Sequence, residues 1–248
     1  RQKDNEKILI EIRESHKNSQ RAYGSPSITE DLQANGTKCS ENRVARLMKK
    51  NGIVGKAKKK FKATTNSKHN LPVAENLLKQ NFTAQKPNTV WVSDITYIWT
   101  LEGWLYIAVI LDLYSRQVVG WAMSDRLTSD FVIKALYQAI GRRNPGRCCI
   151  FHSDRGVQYA SADFRDVLND HGFIQSMSRK GNCYDNSVAE SFFHTLKIEH
   201  VYDHRYETRA DARQSIFNYI EIFYNRQRRR STLGCRSPVS FELESMVA

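Results

Sequence analysis

The stretch VWVSDITYIWTLEGWLYIAVILDLYSR, residues 90–116, decides the fold class of this 248-residue chain. Over residues 91–100 the side chains alternate as in a β-strand, Glu102-Gly103 is typical of a turn, and residues 105–111 form a continuous apolar strand. A third strand pattern follows at residues 118–122. We therefore predict a three-stranded meander that opens a large domain near Val90.

Helix and strand patterns alternate after this meander. Apolar residues recur at helical spacing, and two short strand patterns interrupt them. The predicted helices cover residues 129–140, 161–171, 187–200 and 208–226, and the strands cover 149–152 and 173–177. The order βββαβαβαα predicts an α/β fold with a mixed five-stranded sheet flanked by helices.

The composition excludes several classes of protein. With 40% hydrophobic and 26% charged residues, the chain is neither a disordered tail nor a collagen. Its five scattered cysteines have no zinc-ligand spacing and predict neither disulfides nor a structural zinc site. No apolar run approaches the ~20 residues that span a bilayer, so we predict a soluble, cytoplasmic protein.

The positive charge is concentrated in the N-terminal part of the chain. The net charge is +12, and residues 1–69 contain 17 Lys and Arg against 7 Asp and Glu, a net of +10. Seven lysines, among them Lys58, Lys59 and Lys60, fall within residues 49–62. Such a run is typical of an arm that binds DNA phosphates, and a solvated linker or a localisation signal is the alternative.

Three short helical patterns precede the lysine-rich arm. They cover residues 6–16, 27–34, where Ser27 and Glu30 have the spacing of a capping box, and 40–50. This arrangement favours a helix-turn-helix, and a small helical bundle of another kind stays open. In a helix-turn-helix, the cations of the last helix would face DNA, namely Arg43, Arg46, Lys49 and Lys50.

Three carboxylates on three separate predicted elements could come together in the folded chain. Asp94 lies inside the first strand, Asp154 directly follows the fourth, and Glu190 lies in the first turn of the next-to-last helix pattern. If the two strands pair, Asp94 and Asp154 could share a cation, and oxygen ligands favour Mg²⁺ or Mn²⁺. Taken singly, each acid could equally cap a turn, end a strand or favour a helix start.

Glu190 also belongs to a polar stripe on its predicted helix. His194 and Lys197 follow it at i+4 and i+7, while Phe192, Phe193 and Leu196 offer the packing side. Lys197 would then reach a phosphate bound beside Glu190.

These residues lie in motifs that resemble the catalytic domain of bacterial insertion-sequence transposases, which are relatives of retroviral integrases. The resemblance is to the D,D-35-E group, whose product is fused from two reading frames by frameshifting, and 35 residues separate Asp154 from Glu190. The tail from Tyr224 to Glu242 is also similar, although Arg230 stands where the family usually has His. The motifs that carry the resemblance are WVSDITY at 91–97, LDLYSR at 111–116, HSDRGVQY at 152–159, SRKGNCYDN at 178–186 and ESFFHTLK at 190–197.

The resemblance implies an RNase H-like fold and a DNA transposase. Asp94, Asp154 and Glu190 would bind two Mg²⁺ ions, with Mn²⁺ as a substitute, for end cleavage and 3′-OH strand transfer. The DNA partners would be transposon ends and target duplexes, bound by a homo-oligomer at the bacterial nucleoid. An upstream part with a further helix-turn-helix and a leucine zipper would precede Arg1. A nuclease that only hydrolyses, or a non-catalytic DNA-binding regulator, is the alternative.

Subsidiary roles and domain bounds complete the prediction. Lys197, Arg155 and Arg179 would hold DNA phosphates, and His152 would orient the site. Asp112 would pair with Arg116 at a strand end. The expected domains are a basic helix-turn-helix-like segment with its arm at 1–69, a linker at 70–89, the RNase H-like core at 90–226 and a tail at 227–248.

Overall fold

The computed structural model describes residues 2–56 and 70–247. Lys58, Lys59 and Lys60 of the predicted arm lie outside the described residues. None of the helices in the described ranges is long and apolar enough to cross a membrane.

Three helices form a small N-terminal unit: α1 (Gln2–Asn18), α2 (Ser25–Ala34) and α3 (Glu41–Lys50). Their apolar stripes meet in a separate core that includes Ile12, Ile28 and Val44, all fully buried. The predicted capping box at Ser27 is wrong, because α2 begins two residues earlier, with Gly24 as N-cap and a proline in its first turn. Proline suits that position because its missing N–H would have no helical partner there.

A mixed five-stranded sheet forms the larger domain, as the sequence predicts. The strands are β1 (Val90–Thr100), β2 (Gly103–Asp112), β3 (Val118–Ser124), β4 (Ile150–Ser153) and β5 (Ile174–Met177). Their order is β3-β2-β1-β4-β5. The three meander strands are antiparallel, whereas β4 runs parallel to both β1 and β5.

Helices cover both faces of this sheet. On one face, α4 (Ser129–Arg143), α5 (Val157–Ala160) and α6 (Ala162–Asp170) pack on a core around Trp91 and Phe151. Gly120 in β3 permits the close approach of α4, since a Cβ there would lie 2.4 Å from the carbonyl oxygen of Ala135.

On the other face lie α7 (Ser187–Glu199) and α8 (Arg209–Asn218). The helix predicted over 208–226 is present, but its second half is a π-helical segment, Tyr219–Tyr224, that directly follows α8. The wider turn buries both Phe223 and Tyr224 in the core. The tail contains a further helix, α9 (Pro238–Val247), that the sequence patterns do not predict.

The segment predicted as a linker packs on the core of the larger domain. Leu78 is buried among the core residues, and Phe82 lies against them. The backbone N–H of Leu77 donates a hydrogen bond of 2.9 Å to Ser176 Oγ at β5. The exact domain bounds stay a prediction.

Side chains from both parts of the chain form the junction between the helical unit and the core. The hydroxyl of Tyr23 accepts a hydrogen bond of 2.8 Å from the backbone N–H of Arg229, whose guanidinium lies 3.2 Å from Asp31. His200, just after α7, is buried and lies 3.3 Å from Gln20 Oε1 and 2.7 Å from Ser215 Oγ. Burial, followed by the nearby His204, lowers the pKa of His200 to about 4.

We expect His200 to make folding stability depend on pH between about 6.5 and 4. The unfolded imidazole takes up a proton near pH 6.5 and the folded one only near pH 4, so stability falls as the pH falls through this window. In His200→Gln the free energy of unfolding should fall by about 2 kcal/mol less than in wild type as the pH is lowered from 6.5 to 4. Chemical unfolding at several pH values measures this difference. His194→Gln, on α7, is the control. Identical pH dependence of wild type and His200→Gln would contradict the assignment.

Candidate active site

The pairing of β1 with β4 brings Asp94 and Asp154 side by side. In the parallel register Ser93 lies opposite Ser153, and Asp94 and Asp154 are the residues that follow these two serines. Neighbouring strands are about 4.8 Å apart, so the two aspartates are near enough to share a cation, as predicted for paired strands. Asp94 is only 8% exposed, and its Oδ1 accepts a 2.8 Å hydrogen bond from the N–H of Ile95. Oδ1 of Asp154 accepts one of 2.9 Å from Gly156.

Glu190 joins the two aspartates from the first turn of α7, which packs against β1. Burial, and then the charge of Asp154, raises the pKa of Asp94 well above its usual range, and Glu190 adds to this effect. Burial and Asp154 likewise raise the pKa of Glu190. The three predicted acids therefore lie close enough to repel one another.

This acidic group fits a hard divalent cation by its donor chemistry. Among residues 2–56 and 70–247, no group of three His, Cys, Asp or Glu side chains is positioned to coordinate one metal ion. The carboxylate oxygens of Asp94, Asp154 and Glu190 are nevertheless the donors that Mg²⁺ prefers. The three carboxylates repel one another because negative charge is in excess here, and a bound cation would neutralise that charge.

Lys197 lies in this site and points inward. It is 7% exposed, and its Nζ lies 5.2 Å from the centroid of the Tyr97 ring. Burial lowers the pKa of Lys197 to about 8, and the charge of Asp94 opposes that shift. The predicted polar stripe on α7 is thus partly covered by β1.

Asp185 forms a buried polar network that the sequence patterns do not reveal. Its fully buried carboxylate accepts hydrogen bonds from the backbone N–H of Arg179 (2.8 Å) and from that residue's guanidinium (2.8 and 2.9 Å). Asn76 and Gln80 donate two more, of 2.8 and 3.0 Å. The Arg179 hydrogen bonds hold the pKa of Asp185 well below its usual range. The network fixes the short 3₁₀ turn, Cys183–Asn186, directly before α7 and Glu190.

His152 connects the same turn to the sheet. Its Nδ1 lies 2.8 Å from Ser176 Oγ on β5, and its Nε2 lies 2.9 Å from the backbone oxygen of Asp185. Burial lowers the pKa of His152 to about 4, so the imidazole is neutral at pH 7. These contacts agree with a role in orienting the site rather than in binding a phosphate.

The other predicted residues have diverse surroundings. Arg155 Nε donates a 2.6 Å hydrogen bond to the backbone oxygen of Ser178 beside the site. Asp112 is buried and accepts hydrogen bonds from the backbone N–H groups of residues 88, 114 and 115, so it anchors the β2–β3 turn. The backbone N–H of Arg116 donates a 2.8 Å hydrogen bond to the backbone oxygen of Asp112. Arg230 Nη1 donates to the Tyr224 hydroxyl at 2.6 Å.

The predicted DNA-facing cations of α3 are divided. Arg46, Lys49 and Lys50 are exposed. Arg43 instead forms an ion pair with Asp4 and donates a 2.9 Å hydrogen bond to Asn5, both on α1.

Family comparisons agree with this division into a helical unit and a core. Residues 3–61 match a family described as an HTH-like domain, and residues 84–183 and 190–246 match two described as integrase core domains. The chain is 46% identical over 228 residues to transposase InsF for insertion sequence IS3A of Escherichia coli (strain K12), covering 92% of this chain and 79% of that protein. The chain belongs to the family of insertion-sequence transposases. The predicted resemblance is therefore confirmed.

A second relative extends the similarity over nearly the whole chain. The 31 kDa protein of insertion element IS600 from Shigella sonnei is 47% identical over 241 residues, covering 97% of this chain and 89% of that protein.

Two solved structures share the fold. A chain of the simian T-cell lymphotropic virus intasome, in complex with PP2A regulatory subunit B56 gamma, superposes with a TM-score of 0.55 at 15% identity, covering 89% of this chain and 70% of that one. The HTLV-2 integrase catalytic core domain in complex with magnesium, in its trimeric form, gives 0.50 at 16% identity, covering 64% and 99%. The integrase-like, RNase H-like fold is thereby confirmed.

Proposed function

We propose that this chain is a DNA transposase that cleaves transposon ends and joins them to target DNA at Asp94, Asp154 and Glu190. The observation that carries the proposal is the parallel register of β1 and β4, which places two aspartates side by side below the glutamate of α7. Family membership supports the same reaction, since the relative from IS3A is named a transposase.

The three carboxylates would hold two Mg²⁺ ions, with Mn²⁺ as a substitute. When bound, such a pair of cations activates a hydroxyl nucleophile and neutralises charge on the phosphate and leaving oxygen. In the first step water attacks the phosphodiester at the transposon end, and the cleaved strand keeps a free 3′-OH. In the second step that 3′-OH forms a bond to a target phosphorus as the target's own 3′-oxygen leaves. No protein side chain needs to become covalently attached.

Cationic side chains around the acids would hold the DNA phosphates. Lys197 lies beside Asp94, and its buried position suits a contact with the strand that enters the site. Arg155 directly follows Asp154, and its Nε donates to the backbone oxygen of Ser178, next to Arg179. The Arg179 side chain stays 56% exposed while it pairs with Asp185.

The N-terminal part would supply affinity for the DNA duplex. The exposed Arg46, Lys49 and Lys50 continue into the lysine-rich arm, and Arg43 would have to exchange its contact with Asp4 for a phosphate. A homo-oligomer on paired transposon ends and a cytoplasmic, nucleoid-associated location stay predictions.

One assay separates this function from its two alternatives. Purified protein is incubated with Mg²⁺, a labelled duplex carrying the element's end, and a target plasmid. Joined products support a transposase, nicks alone indicate a nuclease that only hydrolyses, and DNA binding without cleavage indicates a regulator. Omission of the divalent metal is the matched control, because it should abolish cleavage and leave binding.

The lysine-rich arm predicts a change in the salt dependence of binding. Replacing Lys58, Lys59 and Lys60 together by Gln should flatten the slope of log affinity against log salt by about 2.7 units, at ~0.9 per phosphate contact. Fluorescence anisotropy with a generic duplex at several salt concentrations measures the slope. Lys134→Gln, at an exposed position of α4, is the control. An unchanged slope would support the solvated-linker alternative.

A further inference from the structure

A patch of exposed aromatic side chains lies at the end of the β1–β2 hairpin. Trp99 and Trp104 lie opposite each other across the strand pair and are 57% and 42% exposed. Tyr97 adjoins them on β1. Large apolar side chains that share one exposed surface mark a binding site more often than scattered ones do. We call Tyr97, Trp99 and Trp104 the aromatic platform.

The aromatic platform is held in place by its own ring contacts. The Trp104 ring centroid lies 4.7 Å from those of both Tyr97 and Trp99, with interplanar angles of 73° and 74°. The strand pairing beneath it continues to Thr100 and Gly103, where the Thr100 hydroxyl donates a 2.7 Å hydrogen bond across the turn. Because the rings are already ordered, a ligand that stacks on them pays little conformational entropy.

Two cations contact residues of the platform. Lys197 Nζ lies over the Tyr97 ring, and Arg209 Nε donates a 3.1 Å hydrogen bond to the backbone oxygen of Trp104. The acid at the hairpin tip, Glu102, accepts a hydrogen bond from the Arg209 backbone N–H. Aromatic rings among cations are the combination that binds single-stranded nucleic acid.

The platform shares its strand with Asp94. Tyr97 and Trp99 lie three and five residues beyond Asp94 on β1. Because side chains alternate along a strand, this odd spacing places them on the face of the sheet opposite to Asp94. Lys197 of α7, the helix that carries Glu190, has its Nζ over the Tyr97 ring, so the platform reaches the acids around the edge of β1, whose pairing with β4 ends at Ser93.

We propose that the aromatic platform stacks unpaired bases of a DNA strand whose phosphate is held by the acids. The ligand class is single-stranded DNA at an opened end, because in a duplex the faces of internal bases are covered by their neighbours. This proposal rests on the proposed function, in which a DNA end is bound at Asp94.

Binding experiments without divalent metal test the platform separately from catalysis. The full chain is titrated with two generic duplexes that differ only in whether five terminal nucleotides of one strand are unpaired. With 2-aminopurine at the unpaired positions, stacking is read directly as quenching. We expect wild type to prefer the frayed duplex and to quench the probe.

Substitutions in the platform should remove this preference. Trp99→Ala and Trp104→Ala should weaken binding to the frayed duplex by roughly 5- to 150-fold, the range for one stacked base, and leave the paired duplex unaffected. Trp104→Phe, which keeps a ring, should retain most of the affinity. Leu101→Ala, at the equally exposed hairpin tip, is the control. The salt slope of Trp99→Ala should equal that of wild type, because no phosphate contact is removed.

Two results would overturn the proposal. Equal affinity of wild type for both duplexes would show that the platform does not bind unpaired bases. Loss of a multimer in Trp99→Ala, measured by light scattering, with an unchanged preference for frayed DNA would assign the patch to a protein interface. The joining assay keeps the two proposals distinct: joined products with no preference overturn only the platform, and a preference without joining overturns only the transposase reaction.

Discussion

Asp154→Asn should abolish both end cleavage and strand transfer while the protein still binds DNA. The substitution keeps the shape of the side chain but removes one of the charges that hold the divalent cations. We expect a loss of at least ~1000-fold in the rate of each step, which corresponds to about 4 kcal/mol of transition-state stabilisation. Asp94→Asn and Glu190→Gln should behave in the same way, and double variants should lose no more than single ones because the acids act as a unit.

The measurement is the Mg²⁺-dependent joining assay beside anisotropy binding of the same labelled duplex. Asp166→Asn, an exposed aspartate on α6, is the matched control and should retain wild-type activity. Wild-type cleavage by Asp154→Asn would show that the three acids are not the reacting site. Loss of DNA binding together with cleavage would instead point to a structural role of Asp154.

Asp185→Asn should impair catalysis although Asp185 itself contacts neither metal nor DNA. Five N–H groups donate hydrogen bonds to the two carboxylate oxygens of Asp185. In Asp185→Asn one of these oxygens becomes an NH₂ group, which cannot accept a hydrogen bond and would face an N–H donor. We expect a loss of about 2–4 kcal/mol in unfolding free energy, discounted because the Arg179 side chain can return to solvent. The 3₁₀ turn before α7 would shift, and a displacement of Glu190 near 1 Å costs about 100-fold in rate.

Rates at saturating DNA, measured well below the unfolding midpoint, separate positioning from global stability. A lower rate at saturating DNA is the expected result, because saturation removes any change in affinity that arises from Arg179. Tyr184→Ala, 71% exposed in the same turn, controls for any disturbance of the loop. Asp185→Asn protein that is destabilised but fully active when folded would mean that the network does not position Glu190.

The sequence by itself determined the order of strands and helices along the core and nominated the three acids. The alternating pattern around Asp94, the strand end at Asp154 and the helix start at Glu190 are local signals, because the twofold period of strands and the 3.6-residue period of helices are set by near neighbours. The family motifs then fixed the fold, and the pairing of β1 with β4 agrees with both.

Only the tertiary structure decided which polar groups are buried and what they contact. Asp185 lies 105 and 109 residues from its partners Gln80 and Asn76, and no local period records such a pairing. Lys197 has a polar position on its helix but is covered by Tyr97 of β1. The π-helical segment before Asn225 likewise depends on packing, because the extra residue in its turn places two aromatic rings in the core and the Asn225 amide on the backbone of Val118. In each case a contact distant in sequence outweighs the local preference of the chain.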